Sequence, residues 1–307
     1  MNLQTKFNEL LVNETMKEIF DKFKSGKWAN EIISLQNEDG TWGKCFHSLC
    51  PPNNRHPLTT EQALRRLKVL GFTIKDTPIR KAVDCMTACL CGERKIDDYW
   101  EKSHDWELFT RLMLSTWVRI FEPDNQIALI FAKQWANVIN KAFENGIYNN
   151  SAYIEAYISE FNSNPRGTRE RDFVDFYHIN LLKGVLPQDI ENSMIDYVIS
   201  KSDGIYYIYD KPINELPKVF AFKETVRYLD AIEILSGYKS AREKLIFVTT
   251  WLANNKNRNG QWDLGTQAKD NVHFPLSDSW RKSSDRIDDC TYRIKNIMDN
   301  IDFISFL

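Results

Sequence analysis

The sequence has little that would mark a familiar chemistry. It contains no apolar run long enough to span a bilayer, no GxSxG elbow and no glycine-rich phosphate loop, which excludes an integral span, a hydrolase nucleophile of that type and the common nucleotide motifs. An excess of one charge is also missing. With 42 acidic against 40 basic residues the formal charge is −2, so no global field recruits nucleic acid or an anionic membrane. The first twenty residues, MNLQTKFNELLVNETMKEIF, scatter charge among their apolar positions and lack the continuous apolar core of a signal peptide. Six cysteines are few for 307 residues, and without secretory context they read as reduced thiols of a cytoplasmic protein. Alternating strand patterns are scarce, GIYYIYD at 204–210 being the best of them.

What is present is core material and a repeat. Residues of the hydrophobic class make up 43% of the chain and nine are Trp, enough to bury a large core. A glycine preceded by Asp or Asn and followed two residues on by an aromatic occurs at Gly40–Trp42, Gly146–Tyr148, Gly204–Tyr206 and Gly260–Trp262. The intervals between these glycines are 106, 58 and 56 residues, so a degenerate copy belongs near residue 95, where KIDDYW stands. A period of about 55 residues has room for two helices and their loops. Helical patterns precede each phrase, and a second helical pattern follows each one. The chain therefore reads as all-α, a single domain over 1–307 of about six helical hairpins, with 145–171 as its least regular stretch and a long loop. In the second helix of one hairpin, Glu107, Arg111, Ser115 and Arg119 make a polar stripe that faces either a central cavity or solvent.

The stretch LQNEDGTWG, with Gln36, Gly40 and Trp42, resembles the QW repeat of squalene and oxidosqualene cyclases. The following TTEQALRRLKVLG resembles the inner helix of those proteins and of protein prenyltransferase β-subunits. The resemblance covers most of the chain as a pattern and is close only in the first copy; Gln36 is read as Asn in the last. It implies an α/α toroid, closed or an open arc, with outer helices ending in the glycine-aromatic turn and inner helices around a cavity. In that arrangement Gln or Asn caps the outer helix and Trp packs on the neighbouring repeat.

The chemistry of those families is largely missing. The DxDD acid of class II cyclases is absent, because Lys95 precedes Asp97-Asp98 and Arg286 precedes Asp288-Asp289. DDYWE, from Asp97 to Glu101, has the letters of a diphosphate-magnesium motif but occupies a repeat turn and has no companion. No cofactor is expected. Zinc would need Asp288 with Cys290, which lack a following histidine, or the loop set Cys45, His47, Cys50 and His56. CGER, from Cys91 to Arg94, carries Arg where a thioester needs Gln.

Site residues are expected where the second helices begin, because helix N-termini attract anions. Candidate acid–base groups are His104, Asp105 and Asp172, with His178 near Asp172 and Asp175 a further set. Arg169, Arg171, Arg227, Arg281, Lys282 and Arg286 would hold an anionic head, and Trp106, Phe109, Trp117, Tyr177 and Tyr228 would flank an apolar tail. The reading is a protein that binds or processes an isoprenoid-like molecule with an anionic head, without nucleic acid. A non-catalytic scaffold for a protein or peptide partner is the alternative, and a two-carboxylate carbohydrate enzyme a third.

Overall fold

The computed structural model describes residues 21–47, 58–100, 105–167, 170–269 and 275–302. Every regular element among them is helical: α1 (Lys27–Ser34), α2 (Thr60–Val69), α3 (Thr77–Leu90), α4 (Trp106–Phe121), α5 (Gln126–Ala142), α6 (Asn150–Phe161), α7 (Phe176–Leu181), α8 (Gln188–Ser200), α9 (Lys223–Ser236), α10 (Lys239–Lys244), α11 (Ile246–Asn254), a 3₁₀ turn at Thr266–Ala268, and α12 (Ser283–Asp302). None of these helices is long and apolar enough to cross a membrane.

Side-chain caps set where the helices begin. Thr59 and Gln62 form a reciprocal capping box at the start of α2, with Thr59 Oγ1 accepting from the Gln62 amide and Gln62 Oε1 accepting from the Thr59 amide. Asp105, Asn125, Asn149 and Asp175 each accept an amide three residues on, opening α4, α5, α6 and α7. The helix α6 corrects the expectation of a long loop over 145–171. Asn149 starts it, Tyr153, Tyr157 and Phe161 stand at steps of four, and Asn162 ends it at φ 50°. Its rings pack on Trp135 of α5, at 5.7 Å from Tyr157 and 4.7 Å from Phe161.

The repeated phrase is one hydrogen-bonding device in its first and last copies. The indole of Trp42 donates to the Ile32 carbonyl at 2.7 Å, and that of Trp262 to the Leu252 carbonyl at 2.7 Å, each in the last turn of the preceding helix. The amide of each Trp meets a threonine hydroxyl of the following helix, Thr60 at 2.9 Å and Thr291 at 3.0 Å. The roles expected of the two side chains are thus exchanged. Trp caps the helix end, while Gln36 Nε2 ties Gly40 O at 3.0 Å to Pro78 O of α3 at 2.8 Å. Counting back six residues from each Trp puts Lys256, not an Asn, in the place of Gln36, and its ammonium lies 4.9 Å from the Trp262 ring centre. Gly40 has φ +92°, and a Cβ there would stand 2.5 Å from the Lys81 carbonyl of α3, so this turn admits only glycine.

The middle copies do not repeat the device. Tyr148 stacks on Tyr197 at 4.5 Å, Tyr206 is 44% exposed, and Trp100 of the degenerate copy is 60% exposed. GIYYIYD forms a tight loop with isolated bridges, Ile205 to Tyr209 and Tyr206 to Asp175, instead of a strand.

Helix α4 packs on α3, α5 and α7; α7 packs on α9; and α9 packs on α12. The two ends of the described chain also meet: Trp28 Nε1 donates to Ser277 O at 3.0 Å, and Phe23 sets its ring edge-on to Tyr292 at 5.5 Å.

Candidate functional site

Helices α2, α4, α7, α9 and α12 all contribute to the wall of one cavity of about 110 Å³. Trp117, Ile120, Phe176, Ile208, Val226, Ile234, Leu264, Leu276 and Trp280 make its apolar lining. From α2, α4, α7 and α9 the lining residues come mainly from the C-terminal half, so the cavity does not gather at the N-termini of these helices.

One wall is backed by a fully buried acid. Glu61 of α2 accepts from Arg65 at 3.1 Å, Trp117 Nε1 at 3.3 Å, Tyr207 OH at 2.9 Å and Tyr177 OH at 3.1 Å. Burial alone would push its carboxyl upward. Arg65, His47 and the two phenols outweigh that and hold it below the ordinary carboxylate range. Arg65 lies over the Phe176 ring, 4.3 Å from its centre, which places the guanidinium between the acid and the cavity. Tyr207 reaches Glu61 with a φ of +50°, a conformation disfavoured for an aromatic residue, and its hydroxyl also meets Arg65 at 2.9 Å. The hydrogen bonds hold local backbone strain at the cavity wall. Behind the same acid, Asp98 accepts the His47 amide at 3.1 Å, and burial pushes its carboxyl up to about 6.

Among the described residues, the charged side chains facing the cavity are ion-paired except Asp289 and Lys183. Arg293 meets Asp230, Lys68 meets Glu233 at 3.4 Å, and Asp289 accepts from Trp280 Nε1 at 2.7 Å and from the Ser277 hydroxyl at 2.8 Å. Lys183, just past α7, bonds only the Asn180 Oδ1 at 2.9 Å. Burial and the Lys68 charge bring its ammonium down to about 7, with Glu233 opposing; the side chain is partly exposed, which tempers the shift without reversing it.

Of the residues singled out from the sequence, Trp117 and Cys290 line this cavity, and the other described ones lie elsewhere. His104 and Arg169 fall outside the described residues. Asp105 caps α4 and receives the Ser163 hydroxyl at 2.9 Å, while Asp172 pairs with Lys201 at 2.7 Å. Trp106 packs on Phe109 at 5.7 Å, and Arg171, Arg227, Arg281 and Lys282 are exposed. Arg286 forms a two-pronged pair with Asp263 at 2.7 and 2.8 Å. Tyr228 is buried with its hydroxyl on Ile213 O, and Tyr177 alone joins the Glu61 network. His178 Nδ1 meets Asp175 at 2.7 Å, and its ring stands edge-on to Trp135 at 4.2 Å. The polar stripe of α4 faces neither of its two expected partners along its whole length. Glu107 and Arg111 are exposed, Ser115 is buried, and Arg119 turns inward to the carbonyls of Leu181, Lys183 at 2.8 Å and Pro123 at 3.1 Å.

The metal sets fare similarly. Cys290 is buried with its thiol pushed up to about 11 by that burial, while Asp288 is exposed and receives Gln261 Nε2 at 3.3 Å. Cys45 is disulfide-bonded, against the expectation of six reduced thiols; Cys50 and His56 lie outside the described residues. Cys85, Cys89, Cys91 and Cys290 are free. Among the described residues no three His, Cys, Asp or Glu side chains gather into a metal site. In comparison with known proteins, no family model, no curated protein and no solved structure matches the chain.

Proposed function

We propose that the chain is an α/α toroid whose central cavity binds a small, mostly apolar molecule carrying one polar group, and that this group meets Lys183. The observation that carries the reading is the convergence of five helices from successive hairpins on one apolar cavity in which Lys183 is the one cation without an ion-pair partner among the described residues. The likeness of LQNEDGTWG and TTEQALRRLKVLG to the QW repeats and inner helices of cyclases and prenyltransferase β-subunits supports the same architecture. At about 110 Å³ the cavity is of the order of the ~150 Å³ apolar cavity that accepts benzene, which favours a short ligand over a farnesyl chain. Alkene protonation is disfavoured, because Glu61, the buried acid at the wall, is held ionised and proton donation needs the neutral acid. Glycoside cleavage calls for two carboxyl groups free to face one bond, and Asp230, Glu233 and Asp289 are each engaged.

The test is isothermal titration with 3-phenylpropanoate, 3-phenylpropanal and farnesyl diphosphate against the wild type and Ile234→Trp, which fills the cavity from α9. The expected result is saturable binding of the two phenylpropyl compounds, abolished in the variant. Absence of heat with both, or heat unchanged by Ile234→Trp, removes the cavity as a binding site. A protein partner is favoured by one separate observation, the exposure of Tyr99 and Trp100 side by side at 61% and 60%. Trp100→Ala would then weaken co-purification of that partner and leave the titrations untouched.

A further inference from the structure

We propose that Lys183 is a nucleophilic amine that captures a small aldehyde or ketone in the central cavity as an imine. The inference rests on the cavity reading and adds a covalent step to it.

Three observations of placement support it. Lys183 lines the cavity together with Trp117, Ile120 and Ile234, so its amine is a nucleophile beside any apolar carbonyl compound held there. Its one hydrogen bond goes to a neutral acceptor, Asn180 Oδ1, whose own amide group is fixed on the Phe176 carbonyl at 2.8 Å. No carboxylate among the described residues lies within ion-pair distance of it, whereas Arg65, Lys68 and Arg293 each have one. Finally, the amine has a channel made by a missing side chain: a Cβ on Gly237 would stand 3.1 Å from Lys183 Cε and 3.2 Å from Nζ. Gly237 has no positive φ that would call for glycine on backbone grounds, so close passage of the lysine is the feature its lack of a side chain serves.

The protonation state agrees with the geometry. Burial and the ammonium of Lys68 lower the Lys183 pKa to about 7, and Glu233 acts in the opposite sense, so a large fraction is free amine at neutral pH. The other charged groups around the cavity are Arg65 on α2, Asp230 on α9, and Asp289 and Arg293 on α12, while Arg119 of α4 holds the backbone carbonyl of Lys183 itself. Each of these has a partner of its own, and none supplies Lys183 with a counterion within bonding distance.

The step balances without an oxidant or a second substrate. The Nζ lone pair attacks the carbonyl carbon, the C=O π pair moves to oxygen, and a proton passes from nitrogen to that oxygen to give a carbinolamine. A second proton, taken from solvent, lets the C–O bond break; the nitrogen lone pair forms C=N and one water leaves. Loss of the remaining N–H proton returns the borrowed one, so amine and carbonyl become imine and water.

The experiment uses the full chain, 3-phenylpropanal as probe and cyanoborohydride to reduce any imine to a stable secondary amine, followed by peptide mass mapping. At pH 7 Lys183 is expected to be modified about tenfold faster than any other lysine, with half-maximal rate near pH 7, and excess 3-phenylpropanoate is expected to protect it. Gly237→Ala should slow the modification at Lys183, and Lys183→Met should remove the fast phase. Modification of Lys183 no faster than that of exposed lysines overturns the proposal. If 3-phenylpropanoate still binds in that case, only the imine falls; if neither compound binds, the cavity reading falls with it.

Discussion

Replacing Trp42 and Trp262 singly by Phe isolates the indole hydrogen bond on which the repeat turns. Both side chains are almost fully buried, at 1% and 2% exposure, and both donate at 2.7 Å to a carbonyl in the last turn of the preceding helix. Each of those carbonyls also accepts a backbone amide, from Leu35 at 3.2 Å and from Asn255 at 3.0 Å. Loss of the indole therefore leaves the oxygen singly bonded instead of orphaned. The expected cost is the net value of one hydrogen bond, about 1 kcal/mol, plus a similar amount for the space left by the smaller ring. That makes roughly 2 kcal/mol at each site, and nearly the same value at both because the geometry is the same. Truncation to Ala should cost about 3–5 kcal/mol at each. Tyr206→Phe, at an exposed copy of the phrase, should stay within about 0.5 kcal/mol. Urea unfolding followed by far-UV circular dichroism reads all of these on one scale. Neutral Trp→Phe substitutions, or a Tyr206 variant as damaging as the Trp variants, would show that the turn is not held in the way described.

Other substitutions bear on the turn, the buried acid and the cavity amine. Gly40→Ala should destabilise more than Gly260→Ala: both have positive φ, +92° and +75°, but only Gly40 faces a backbone carbonyl at 2.5 Å, so the second should cost about 1 kcal/mol and the first clearly more in the same unfolding assay. Glu61→Gln leaves Arg65 without its counterion beside an apolar cavity and should cost about 3–5 kcal/mol, with the double variant Glu61→Gln, Arg65→Met recovering part of the loss. Lys183→Met carries a pH signature. The folded-state pKa of Lys183, about 7, lies below its ordinary 10.5, so between those values the unfolded chain binds more protons and wild-type stability gains as pH rises. The variant should exceed the wild type most at pH 6, and its lead should shrink by about 1 kcal/mol or more by pH 9; a lead independent of pH would mean that the amine is not depressed.

The helical class is legible in the sequence because it rests on local signals: glycine after Asp or Asn, the aromatic two residues on, and the caps at Thr59, Asp105 and Asn125. Even there, hydrogen bonding reassigns the parts. Gln36 and Trp42 both look like turn residues, and only the fold shows that the indole reaches back to α1 while the amide reaches forward to α3. The helix α6 hides in 145–171 because its aromatic face, Tyr153, Tyr157 and Phe161, sits among polar residues in a segment with weak overall amphipathicity. The cavity was not legible. A reading from helix N-termini selects charged residues such as Arg281 and Arg171, which are exposed, whereas the cavity is lined largely by later turns. Two signals did exist. Glu61 is a lone acid on the face of α2 that carries Leu64 and Leu67, and Lys183 is a lone cation inside LLKGVL. Neither becomes specific until Tyr207, 146 residues from Glu61, and Asn180 are seen beside them.

The central claim is that the cavity between α2, α4, α7, α9 and α12 takes a small apolar ligand with its polar end at Lys183. The most direct measurement is the anomalous scattering map of crystals soaked in 3-(4-bromophenyl)propanoate. A bromine peak among Trp117, Ile234 and Leu276, with carboxylate density at Lys183, is the result the account predicts. Bromine bound only at surface sites, with the cavity holding water alone, would contradict it.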